Sequence, residues 1–185
     1  MINFIEQLPK WAGAGIVIVY SLLLAEFFST INHLFPVDNS MSELLSVFSK
    51  ISYWATILSG AIVWIVVSFL FHLMAMLFNG HSSFGRFLFL ASYPYIISAI
   101  AILAGILIVD NIQIPDTENA MSILINNQSF KLAMNLINYS FMPYYILIAI
   151  IIHYIYQIKY LYAALSVAIP VVSIWLITEL FKWLL

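Results

Sequence analysis

The chain has 185 residues, of which 64% are hydrophobic and 8% charged, with a formal net charge of −2 and no cysteine. A soluble domain carries roughly 25% charged residues, so these charges are too few to cover a surface in water, and lipid is the medium that the apolar residues fit. The same composition excludes disulfides, thiolate metal sites and a cysteine nucleophile, and it offers no basic run for nucleic acid.

A bilayer core of about 30 Å needs about 20 apolar helical residues. Five segments supply them, at about 11–34, 51–77, 87–109, 138–158 and 161–185. The expected fold is an all-α integral membrane bundle of about five transmembrane helices in one domain, residues 1–185. The first segment opens like a signal peptide, with Lys10 and then an apolar run from Trp11 to Ala25. Glu26, Phe27 and Phe28 stand where a small-x-small cleavage site belongs, so the segment reads as a retained helix.

After it, Phe35-Pro36-Val37-Asp38-Asn39 reads as a turn and Ser40-Met41-Ser42-Glu43 as a capping box, in which a hydroxyl and a carboxylate satisfy free N–H groups at a helix start. One helix from Met41 to Phe78 would run about 57 Å, longer than the bilayer core. Residues 42–49 are therefore expected as an interfacial turn or two before the second span. Asn79-Gly80-His81-Ser82-Ser83 separates spans two and three. Gly80 suits a left-handed helix end, and Ser82 or Ser83 an N-cap. Residues 110–135 form the longest polar stretch, and a mixed part of it is expected on the membrane surface.

Positive charge near the helix ends sets orientation. Lys10, Arg86 and Lys159 fall on one side, together with the shorter loops, and Lys50, Lys131 and Lys182 on the other with most of the acids. That pattern places the N-terminus in the cytoplasm and the C-terminus outside.

Few residues inside these spans carry chemistry. An ionisable group within a span is a functional hypothesis by default, and Glu26 is the acid deepest in a predicted helix. It is a candidate proton or cation site, or a carboxylate at headgroup level. His72 and His153 fall near the inner ends of spans two and four. They are candidates for a polar cluster with His81 and Arg86, or for two interfacial histidines that never touch. Pro94, Pro143 and Pro170 lie within spans and are expected to kink them. Two sit in similar settings, Tyr93-Pro94-Tyr95 and Met142-Pro143-Tyr144-Tyr145, which hints at an internal repeat. Thr56/Gly60, Ala101/Gly105 and Ala164/Ala168 have the small-residue spacing that lets helices approach closely. No GxSxG, GxxxxGK[ST], GxGxxG or HExxH pattern occurs. The expectation is a protein that is not an enzyme and holds no cofactor or metal.

The run from Leu77 to Phe87, Leu-Phe-Asn-Gly-His-Ser-Ser-Phe-Gly-Arg-Phe, followed by Ala91-Ser92-Tyr93-Pro94, resembles the Ypt-interacting-protein (Yip) membrane family. Gly80, Ser83, Phe84, Arg86, Tyr93 and Pro94 occupy the positions of its glycine, Ser-Phe pair, basic residue and aromatic-proline step. The final helix pair, turning at Gln157–Tyr160, looks similar too. The resemblance implies five helices and a cytoplasmic N-terminus. Eukaryotic members bind Rab-type GTPases and carry a long N-terminal region. Only about ten residues precede the first span here, so the expectation is the bare prokaryotic form in a bacterial cytoplasmic membrane, without GTPase binding. Some prokaryotic relatives are associated with exporters or envelope stress. The function expected is a non-enzymatic scaffold or accessory factor that contacts another membrane protein or itself. The alternative is a small transporter or channel using Glu26 or an inner-face histidine cluster.

Overall fold

A computed structural model of the chain describes residues 7, 9–35, 42–114 and 120–184. They form seven helices and no strand: α1 Lys10–His33, α2 Ser42–Leu77, α3 Phe84–Ser92, α4 Tyr95–Val109, α5 Ala120–Asn126, α6 Gln128–Tyr156 and α7 Tyr160–Leu184. Five stretches are long and apolar enough to cross a membrane: Trp11–His33, Ser46–Leu77, Phe84–Val109, Gln128–Tyr156 and Tyr160–Trp183. The third comprises α3 and α4. The protein is thus an all-α, multi-pass membrane bundle.

The boundaries depart from expectation in three places. Residues 42–49 are not a separate interfacial turn, because α2 is one helix of 36 residues, about 54 Å by its rise. No proline or glycine interrupts it before Gly60, so nothing in the backbone ends the helix where the bilayer would. The proposed capping box falls partly on residues outside those described. The fourth span begins at Gln128 rather than 138, started by Asn127, whose side chain accepts the Phe130 N–H at 3.1 Å. Lys131, Asn135 and Asn138 ride on the exposed surface of that first stretch, so their polarity does not oppose helix. The third span starts at Phe84 rather than 87 and is split at Tyr93–Pro94. Pro94 has no N–H to give, and Ile96 and Ile97 turn back to Tyr93 and Pro94 carbonyls instead. Pro143 and Pro170 lie inside continuous helices.

Around the bundle the packing order is α2, α1, α4, α6, α7 and back to α2. At the end bearing the short loops 78–83 and 157–159, α3 packs on α1, α2 and α6 at once and fills the centre. Its Phe87, Leu90 and Ala91 are fully buried. The third span is the most buried of the five, and the second and fifth are the least.

Helices touch where side chains are missing. A Cβ added at Gly60 would overlap the Ser21 hydroxyl and lie 2.9 Å from its Cβ. One at Gly105 would come within 3.0 Å of Ile137 Cδ1. Thr56/Gly60 and Ala101/Gly105 therefore serve close packing, whereas Ala164 and Ala168 are exposed. Gly60→Leu should destabilise the protein by about 1–3 kcal/mol through overpacking. Gly15→Leu, at a site with no atom within 4 Å of the added Cβ, should not. Thermal unfolding in mild detergent separates the two, and equal melting of Gly60→Leu and wild type would contradict the close approach.

Candidate functional site

At the short-loop end, α2 closes in a Schellman motif. The Asn79 N–H bonds the Met76 carbonyl and the Gly80 N–H the Ala75 carbonyl, each at 3.0 Å. The left-handed residue is Asn79, with φ 59°, and not Gly80 as expected, since no glycine among the described residues has positive φ. Asparagine tolerates that conformation. Gly80 answers a different need. A Cβ there would sit 2.7 Å from the Ala75 carbonyl oxygen and 2.9 Å from Tyr156 Cβ, so only glycine lets the loop seat against α6.

Ser83, extended at φ −80° and ψ 141°, caps α3 by accepting the Arg86 N–H. This turns Phe84 back onto α2, where its ring meets His72 at 5.4 Å and Phe69 at 5.6 Å. His72 is 8% exposed, and its Nδ1 is hydrogen-bonded to the Tyr156 hydroxyl of α6. Phe87 packs edge-on against Tyr156 at 5.8 Å. Of the predicted residues, Gly80 and His72 thus meet at Tyr156, Phe84 packs on His72, and Ser83 caps the helix that carries Phe84. One and two turns back along α2, Ser68 and Trp64 present buried polar atoms that have no partner among the described residues. Asn79, His81, Ser83, Gly85 and Arg86 remain exposed on the outside of this end.

The other candidates lie apart. His153 does not join His72. Its Nδ1–H donates to the Ile158 carbonyl at 2.6 Å, and its ring stacks on Tyr160 at 3.6 Å, closing the α6–α7 turn around left-handed Gln157. No group of three or more histidines, cysteines or acids that could hold a metal occurs among the described residues. Glu26 is exposed on the outside of α1 and does not face the bundle interior. Tyr93 packs on Phe89 at 5.2 Å, with its hydroxyl buried and without a partner among the described residues. Pro94 marks the break in the third span.

A second polar cluster lies at the heart of the bundle. Tyr95, just after Pro94, meets Tyr20 of α1 and Tyr144 of α6 edge-on, each at 4.9 Å. Toward the opposite end, Ser140 Oγ lies 2.6 Å from the Ile137 carbonyl and 3.2 Å from Ser98 Oγ. The single Ser140 proton goes to the carbonyl, so Ser98 donates to Ser140. The two Pro-Tyr segments that resemble each other in sequence therefore meet in space. Sequence reasoning missed Tyr20, Tyr144 and Tyr156 as members of polar contacts. The repeated Pro-Tyr step was a signal for Tyr95 and Tyr144, whereas nothing marks Tyr156 as the partner of a histidine 84 residues away.

Comparison with family models, with characterised proteins and with solved structures found no match for this chain.

Hydrogen bonds between transmembrane helices contribute about 0.6–2 kcal/mol each. Tyr156→Phe and His72→Phe should each destabilise by roughly that amount, and the double variant by less than the sum. A strictly additive cycle in unfolding measurements would mean that the two side chains do not interact.

Proposed function

We propose that this protein is a membrane scaffold or accessory factor of the Yip type that acts through contacts with another integral membrane protein, such as an exporter, in a bacterial cytoplasmic membrane. The observation that carries this reading is the construction of the short-loop end. The Schellman closure, the Ser83 cap and the Phe84 ring on His72 hold residues 79–86 in one conformation. That same segment turns His81, Ser83, Gly85 and Arg86 outward. A pre-ordered loop loses little conformational freedom on binding, which favours affinity. Charge placement puts this end on the cytoplasmic side, where a partner's loops are in reach. Gly80, Ser83, Phe84 and Arg86, four of the six residues that carry the Yip resemblance, build and display this surface.

Arg86→Glu, on the exposed face of α3, should reduce recovery of a membrane partner on native co-purification in mild detergent by about tenfold, the effect of about 1.4 kcal/mol. Insertion and melting temperature should stay unchanged. Phe84→Ala should reduce recovery and stability together, because it removes the ring from His72. Partner recovery that is indifferent to Arg86→Glu would overturn this surface as the contact.

A further inference from the structure

Two polar faces remain turned toward lipid. The first is a shallow groove between α1 and α2, where Ser29, Asn32, Ser49, Ser52, Tyr53 and Thr56 line it together with the apolar Ala25 and Phe28, with room for about one water. Glu26 is exposed one turn along α1 from Ser29, and it forms no ion pair among the described residues. The second is on α7. Beyond Pro170, residues 172–183 are exposed on nearly every side, including Trp175 at 59% and Trp183 at 89%. Trp175, Thr178, Glu179 and Lys182 share one face by their spacing. Lys182 Nζ donates to Glu179 at 2.8 Å. An ammonium has three donors, so two remain.

These faces overlap in depth, with Lys182 level with Asn32 and about 9 Å beyond Glu26. The first and fifth spans run in the same direction. Glu26 and Asn32 lie about 24 and about 33 Å along α1 from Lys10, and Thr178 and Lys182 about 27 and about 33 Å along α7 from Tyr160. They also match in position. α1 and α7 both pack on α2 and are its neighbours on either side of the ring. The outer face of α2, with Trp54, Leu58, Ile62 and Ile65, is exposed. A two-fold axis along the membrane normal that sets α2 against α2 of a second copy puts α1 beside the partner's α7, and the reverse, at unchanged depth.

We propose that the α1–α2 groove and Glu26 are the docking site for the outer half of α7 of a second copy of this chain, giving a two-fold dimer. Asn32, level with the opposing Lys182, accepts one of its remaining donors, the Glu26 carboxylate attracts the same ammonium from about 9 Å below along the helix, and the hydroxyl groups of the groove meet the polar face of α7. Ionisable side chains in spans usually face a bundle interior and find partners, and dimerisation gives both faces that setting. The contact is closed and isologous, each copy supplying one groove and one helix. It uses a surface at the other end of the bundle from the loop discussed above, so either reading can fail alone.

The chain has no cysteine, so introduced thiols report without interference. Two differently tagged full-length copies, one carrying Ser29→Cys and the other Thr178→Cys, should form a disulfide in lipid vesicles under mild oxidation. A Leu107→Cys copy, exposed on α4, should not cross-link to Thr178→Cys. Glu26→Lys or Lys182→Glu should lower cross-linking at least about fivefold, the size of one polar contact between transmembrane helices. Combining both exchanges in every copy should restore most of it. Glu26→Gln, which preserves shape, gives a milder loss and guards against an insertion defect. Equal cross-linking at Leu107, indifference to Glu26, or a groove occupied by a different membrane protein in place of a second copy would each overturn the proposal.

Discussion

Lipid is as apolar as leucine, so burying apolar side chains contributes little to drawing these helices together. What remains is close contact and polar satisfaction. This bundle uses both at the same depths. Gly60 admits the Ser21 side chain and Gly105 admits Ile137 and Phe27, and each approach brings backbones near enough for dispersion to accumulate. Between these contacts sit the edge-on rings of Tyr95 and Tyr144 and the hydrogen-bonded pairs Ser98 with Ser140 and His72 with Tyr156. Every pair joins residues from different spans. Each side chain would be costly in hydrocarbon alone, so the pairs specify which helix faces which, a choice that uniform apolar surfaces leave open.

The number and nature of the spans were legible because hydropathy over about 20 residues is a strong signal. Their ends were harder. Lys131, Asn135 and Asn138 look like a break when read as composition, yet on a helix they are simply its exposed side. The Asn79–Gly80 step was recognised as a helix end, but the left-handed conformation expected at Gly80 belongs to Asn79. Sequence marks Gly as the residue of left-handed backbone, and only the approach of Tyr156 reveals that Gly80 is needed for space. The histidines show the limit plainly. Their positions near the helix ends were correct, and each found a partner of its own, because rotation of a helix about its axis decides what a side chain meets, and hydropathy carries almost no information on that rotation.

The two ends of the bundle differ in how completely they are built. At the short-loop end α3 fills the centre, and Phe87, Leu90, Phe71 and Ile152 are fully buried. Helix stops are fixed there by left-handed Asn79 and Gln157, each at the close of a long span. Toward the other end, the part of α7 beyond Pro170 is exposed on nearly every side. An internal proline leaves one carbonyl without its helical donor and weakens the ladder locally. A helix exposed all round is stable in lipid as far as its apolar side chains are concerned. The ion pair of Glu179 and Lys182 on such a helix is less easily explained by lipid alone.

That asymmetry bears on what a scaffold needs. A surface that recognises loops gains from rigidity, since order present before binding need not be imposed by it. A surface that recognises another helix inside the bilayer gains instead from polar groups that are incompletely satisfied, because hydrocarbon offers them no alternative partner. The short-loop end has the first character, with its polar ring contacts closed inward and its charged residues turned out. Glu26, without an ion pair among the described residues, and Lys182, which keeps donors beyond its bond to Glu179, have the second. In a chain with 8% charged residues, Glu26 and Lys182 are the groups whose placement the isolated bundle explains least, and a neighbouring helix explains it directly.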